Sequence, residues 1–191
     1  MNTLLLVCHP AKDSLNHAIA ASVEHALSGH GHEVRVHDLY DEGFDPILSP
    51  EELRRRFSFD EITQRHTNDL RWAGLLVFVY PDWWGFGPAM LKGWIDRVFR
   101  PGVAYDYVGE EFETKRHVGL LSEKAALVLC TTNASEAAGR LWGDSIFPFC
   151  GITRFHVEVF QDVRRARLRT RRQWLERAAR LAGDWAEGNL A

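Results

Sequence analysis

Three cysteines in 191 residues, Cys8, Cys130 and Cys150, are too few and too widely spaced for a disulfide framework or a zinc site. They read as reduced, structural thiols of a cytoplasmic protein. Charge of one sign is also scarce. The formal net charge is −3, which gives no field to draw the chain to nucleic acid or an anionic membrane. The apolar run Leu4–Cys8 is too short for a signal-peptide core or a membrane span, and no charged segment precedes it, so neither is expected. Three motifs are missing. GxGxxG is absent, which argues against a dinucleotide Rossmann site. GxxxxGK followed by Ser or Thr is absent, which argues against a P-loop NTPase. GxSxG is absent, which disfavours an α/β-hydrolase. The end of the first apolar run, Cys8-His9-Pro10, lacks the acidic residues of a response regulator. His30, His32 and His37 have no Cys or carboxylate at matching spacing, so no metal site is expected.

Aromatic residues are plentiful. Seven tryptophans suit a core and also a site that handles flat, conjugated molecules. The length fits one domain over 1–191. Short apolar runs alternate with helical patterns. Strands are expected at Thr3–Cys8, Glu33–Leu39, Gly74–Tyr80, Ala125–Thr131 and Thr153–Phe160. Leu15, Ile19, Val23 and Leu27 recur at spacing four, and helices are also expected over Asp60–Trp72, Pro88 to about Arg100, Gly139–Phe149 and about Arg167–Glu187. Val103–Leu120 reads as an excursion with room for a hairpin. Three of the five strands are uniformly apolar, as in a parallel sheet covered on both faces. The expected fold class is α/β: a flavodoxin-like three-layer sandwich with a five-stranded parallel sheet in the order 2-1-3-4-5.

In such a sheet, ligands bind beyond the carboxyl ends of the strands. That rule selects three loops. His9–Ser14 leads into a helix start, where free N–H groups and the dipole favour phosphate; Ser14, Asn16 and His9 add donors, and Asp13 is expected to point away. Pro81–Gly87, PDWWGFG, exposes two Trp and a Phe, and Gly85 and Gly87 would permit close approach to a planar ring. Thr131–Ser135 offers hydroxyls and amides at Thr131, Thr132 and Asn133 for a ring's polar edge.

PDWWGFGPAMLKGWIDRVF resembles the matching segment of the NAD(P)H:quinone oxidoreductases of the DT-diaphorase type. It is equally similar to bacterial relatives, including modulator of drug activity B and the ancillary oxidoreductases of glutathione-gated potassium efflux systems. The resemblance extends to His9…Ser14-Leu15-Asn16, Asp38-Leu39-Tyr40, Phe44-Asp45-Pro46, Tyr105-Asp106-Tyr107, Thr131-Thr132 and Phe149-Cys150-Gly151. It implies a flavin, FAD with FMN as the alternative, and NAD(P)H as electron donor. His9, Ser14, Leu15 and Asn16 would contact the pyrophosphate and ribityl chain, Pro81, Asp82, Trp83, Trp84 and Gly85 the isoalloxazine, and Thr131, Thr132 and Asn133 its pyrimidine side. Trp84, Phe86, Tyr105 and Tyr107 would form the acceptor pocket, the tyrosines reaching over from the partner of a homodimer. The implied activity is two-electron, ping-pong reduction of quinones or similar flat acceptors. Alternatives are an ancillary subunit of a membrane transport system, or reduction of azo, nitro or enone substrates. The chain departs from DT-diaphorase at Asn133-Ala134, where that family has two glycines, and lacks its following Tyr and His. No acid or base is therefore assigned.

Overall fold

A computed structural model describes residues 1–109, 114–133 and 138–188. Its strands are β1 (Asn2–Val7), β2 (Glu33–Asp38), β3 (Leu75–Pro81), β4 (Tyr105–Val108), β5 (Arg116–Gly119), β6 (Ala125–Thr131) and β7 (Arg154–Phe160). Its α-helices are α1 (Leu15–Gly29), α2 (Pro50–Arg54), α3 (Glu61–Trp72), α4 (Ala89–Val98), α5 (Phe147–Cys150) and α6 (Leu168–Ala186). The main sheet runs β2-β1-β3-β6-β7, all neighbours parallel. Counting only its members, this is the order 2-1-3-4-5. The excursion before β6 forms the antiparallel β4–β5 hairpin.

Two apolar layers clamp the sheet. Leu4, Leu6, Cys8 and Phe78 face Trp94, Val98, Trp142 and Phe147. Leu5, Val7, Val77 and Val79 face Ile19, Val23, Leu27, Ala178 and Trp185 on α1 and α6. Neighbouring residues of one strand thus join opposite layers, which is why β1, β3 and β6 are apolar throughout. Polar contacts also tie the amino-terminal edge of the sheet. Thr3 Oγ1 meets His32 Nδ1 at 2.9 Å, Gly74 N–H donates to Asn2 O at 2.9 Å, and Lys124 Nζ donates to Ala73 O.

Local signals explain the helix starts. Ser49 and Glu52 form a reciprocal capping box with Pro50 between them, and Asp60 caps α3. The helix expected over Gly139–Phe149 is present, but its middle, Trp142–Ile146, is a π-helical turn that leads into α5. Phe147 N–H reaches back to Trp142 O, and the wide turn lies just before Pro148, which has no N–H to continue an α-helix. Close packing also depends on Gly93 of α4. A Cβ there would overlap the oxygen and Cβ of Pro46, so glycine lets the 45–46 loop lie on the helix.

Candidate functional site

The three selected loops do meet. A cavity of about 160 Å³ at the carboxyl edge of the sheet is lined by His9, Leu15, Asn16, Pro81, Asp82, Trp83, Thr131, Thr132, Asn133 and Val163. Ser14 adjoins it as the N-cap of α1, accepting from His17 N–H at 3.3 Å. Asp13 is exposed, as expected, and the first turn of α1 holds no acidic residue. The positive end of the helix is therefore unopposed by a carboxylate within that turn. The third loop is described only as far as Asn133; Ala134 and Ser135 lie outside the described residues.

Two buried polar atoms mark the cavity. Asn16 is 2% exposed; its Oδ1 accepts from Thr131 Oγ1 at 3.1 Å, while its Nδ2 has no hydrogen-bond partner. Asp82 Oδ2 accepts from Thr132 Oγ1 at 3.3 Å, while Oδ1 has none. A buried donor and a buried acceptor left unmade cost about 1–3 kcal/mol each, so both are poised for a ligand. His9 Nδ1 lies against the backbone of Ala11, 3.0 Å from its N–H and 3.2 Å from its carbonyl oxygen. Asn133 is tied outward, its Oδ1 accepting from Arg164 N–H at 2.8 Å.

The aromatic loop is a two-residue hairpin. Trp83 and Phe86 exchange N–H···O bonds of 2.7 and 3.2 Å, and the central Trp84 and Gly85 have φ of 63° and 83°. Two positive φ values define a type I′ geometry. The positive φ of Gly85 is what the turn requires. Asp82 N–H is also used, donating to Thr131 O at 2.7 Å, so the N–H groups of Asp82, Trp83 and Phe86 are committed within the fold. Trp84 at the tip is 98% exposed.

Phe86 and Gly85 line a second, apolar cavity of about 230 Å³ with Tyr80, Leu91, Ile95, Trp142 and Ile146. Tyr105 lies in a third, of about 240 Å³, with Ile95, Phe99, Ile146, Phe149 and Cys150. Ile95 and Ile146 are common to both, so the two form one apolar trench. Within a single chain, Tyr105 and Tyr107 do not join the cavity of His9 and Asn16; they pack with His117 and Phe149 on the hairpin side.

The sequence reading missed two clusters. His37, Glu42 and His66 lie together, with Asp69 and Arg65 at their edge. His30 and His32 are elsewhere, beside Glu187 and Thr3 respectively. Burial pushes the Glu42 carboxyl up, but hydrogen bonds from His37 and His66 outweigh it and hold the group well below the usual carboxylate range. The second cluster, Ser14–His17–Asp38, joins residues 21 apart in sequence through His17 and Asp38. Among the described residues, no helix is long and apolar enough to cross a membrane.

Sheet order and cavity together define an α/β protein with a doubly wound parallel sheet and a cavity at its carboxyl edge. The profile described as "Flavodoxin-like fold" matches residues 1–182. An NAD(P)H oxidoreductase of Haemophilus influenzae, itself uncharacterised, is 33% identical over 94% of this chain and 93% of its own. Smu.1420 of Streptococcus mutans UA159 has 29% identity and a TM-score of 0.86 over 96% of this chain and 100% of its own. NAD(P)H:quinone oxidoreductase of Methanothermobacter marburgensis has 28% identity and a TM-score of 0.76 over 97% of this chain and 96% of its own. The chain belongs to the flavodoxin-like family, in the group that holds the NAD(P)H:quinone oxidoreductases.

Proposed function

We propose that residues 1–191 act as one flavin-binding domain that oxidises NAD(P)H and reduces quinones or similar flat acceptors. The observation that carries this reading is the cavity where three separate loops converge on an unpaired Asn16 amide and an unpaired Asp82 oxygen. The donor set fits a flavin. Ser14, Asn16 and the start of α1 suit phosphate and ribityl oxygens, and Asp82 Oδ1 suits a ring N–H. Pro81 and Trp83 offer flat apolar surface beside it. FAD is the expected form. A bound flavin would supply two-electron storage, accepting hydride from NAD(P)H and passing it to the acceptor.

The chain's own part is binding and orientation. Thr131 holds Asn16 with its amide toward the cavity, and Thr132 holds Asp82. Trp84 and Phe86, exposed on the turn that follows Trp83, offer stacking surface to the acceptor. Donor and acceptor use that one slot in turn, which is the ping-pong order. The apolar trench beside α4 supports a homodimer in which Tyr105 and Tyr107 of one copy cover the Trp84 turn of the other.

The test is direct. The purified protein is expected to carry or take up FAD or FMN, to bleach on anaerobic addition of NADH or NADPH, and to recover colour with a quinone. A protein that binds neither flavin refutes the reading. Released flavin identifies the cofactor, and light scattering gives the mass of a dimer or a monomer.

A further inference from the structure

Ser14, His17 and Asp38 form a hydrogen-bonded chain at the helix end of the cavity. Ser14 Oγ lies 2.8 Å from His17 Nδ1, and His17 Nε2 lies 2.9 Å from Asp38 Oδ2. Asp38 Oδ1 is occupied separately, accepting from Tyr40 N–H at 3.2 Å and Asp41 N–H at 3.3 Å. Leu15 and Asn16 follow Ser14 directly and line the cavity, where the buried, unpaired Asn16 Nδ2 independently marks a ligand position. The other charged or titratable groups around His17 are His9 from the end of β1, with ring centroids 6.4 Å apart, and the Lys12–Asp41 pair from the loops.

Donor logic gives this chain two states. An ionised carboxylate only accepts, so Asp38 fixes a proton on His17 Nε2. A neutral ring then has a lone pair on Nδ1, which draws the Ser14 hydroxyl hydrogen. Ser14 is left with only lone pairs to show a phosphate oxygen, which is itself an acceptor. When the ring carries both protons, Nδ1–H donates to Ser14, and the hydroxyl hydrogen turns free for the ligand. The imidazolium also adds positive charge at the start of α1.

We propose that His17 and Asp38 are positioning residues of a phosphate subsite, and that binding of a phosphate-bearing ligand there is coupled to uptake of a proton by His17. This rests on the flavin reading, since the flavin's phosphate is the ligand group concerned. The substitution Asp38→Asn gives an unusual expectation. The asparagine oxygen keeps the two backbone N–H bonds, so its amide nitrogen faces His17 Nε2. The neutral ring then places its proton on Nδ1 and releases the Ser14 hydroxyl at every pH.

The experiment is calorimetric titration of the apoprotein with FAD and with FMN, between pH 5.5 and 8.5, in buffers of different ionisation enthalpy. The quantity read is the difference in protons taken up between wild type and His17→Gln, which cancels the ligand's own ionisation and that of His9. Wild type is expected to take up as much as one more proton than His17→Gln, and to lose up to about tenfold in affinity per pH unit on the alkaline side. Asp38→Asn is expected to lose the pH dependence while keeping, at pH 8.5, an affinity within about threefold of the wild type's best, the size set by about 0.7 kcal/mol. Riboflavin, without phosphate, is expected to bind with no difference between the proteins. Equal proton uptake by wild type and His17→Gln overturns the inference but leaves the flavin reading standing. So does equal weakening of both variants at every pH, which is what a merely structural role predicts. Failure of both flavins to bind at any pH overturns the flavin reading, and this inference with it.

Discussion

The indole N–H of Trp94 donates to Nδ1 of His66 at 2.8 Å. This bond fixes the tautomer: Nδ1 accepts, so Nε2 carries the proton and donates to Glu42 Oε2 at 2.7 Å. His37, Glu42 and His66 hold three ligand atoms within 4.8 Å of one another, the spacing of a metal site. A metal at His66 Nε2 would displace its proton, and Nδ1 cannot receive it while Trp94 donates there. The cluster is thus built as a hydrogen-bonded ion knot. Equimolar zinc is expected to leave the thermal transition of the protein unmoved. A rise of several degrees on adding zinc would refute this assignment.

Arg97 and Glu52 predict acid sensitivity. Both side chains are buried, and Arg97 reaches Glu52 with bonds of 2.7, 3.1 and 3.2 Å while also holding Asp45 O at 2.6 Å. Burial raises the Glu52 carboxyl, but hydrogen bonds from Arg97, Ser58 and Ser49 N–H outweigh that and bring it down from 4.5 to about 2. A folded value below the unfolded one contributes stability above the unfolded value and loses it as pH falls toward the folded value. The melting temperature is expected to fall from pH 4.5 to pH 2, and Glu52→Gln to flatten that fall. At pH 7, Arg97→Met leaves Glu52 buried and unpaired and is expected to cost about 3–5 kcal/mol in urea unfolding.

Trp84 separates strain from use. A bulky residue at positive φ is strained by about 1–2 kcal/mol, and a side chain this exposed returns no packing. Trp84→Asn suits the turn and is expected to stabilise the protein by about 1 kcal/mol. If Trp84 stacks on the acceptor, the same variant loses about tenfold or more in kcat/KM with quinones, or about 1.4 kcal/mol of barrier. Unchanged turnover would remove Trp84 from the acceptor pocket.

Gly93→Ala tests the close contact between α4 and the 45–46 loop. Its Cβ has no room against Pro46, so the loop or the helix must shift. Destabilisation of about 3 kcal/mol or more is expected in urea unfolding, well beyond the usual cost of a surface change. The measured value also reports how far the 45–46 loop can lift.

The three thiols are expected to be inert. Burial pushes Cys8, Cys130 and Cys150 up to about 12 each, and none is in a disulfide. Iodoacetamide at pH 8 is expected to leave the native protein unmodified by mass and to label it fully in denaturant.

Much of the fold was legible because it rests on local signals. The apolar runs of β1, β3 and β6, Pro88 before α4, and Ser14 before α1 are each readable within a few residues. The cavity followed from strand order, since that order fixes which loops are neighbours. What stayed hidden needs contacts between distant residues. Glu42 and His66 are 24 apart, and nothing around either announces the other. The π-helical turn at Trp142–Ile146 has a helical composition, so only its bonds reveal it. The type I′ turn was obscured because Trp84 sits where glycine or asparagine is the usual occupant.

The two-faced apolar strands have a consequence for how the sheet is aligned. Sliding such a strand by one residue exchanges one greasy face for another, so hydrophobic patterning alone chooses weakly between registers. Thr3 with His32 and Lys124 with Ala73 add side-chain contacts at the amino-terminal edge, and the backbone bond from Asp82 N–H to Thr131 O continues the alignment at the other edge. Alignment is thus held at both ends of the sheet. At the cavity end the aligning bonds run between backbone groups, so the side chains of the loops there can change their chemistry without disturbing the frame that holds them.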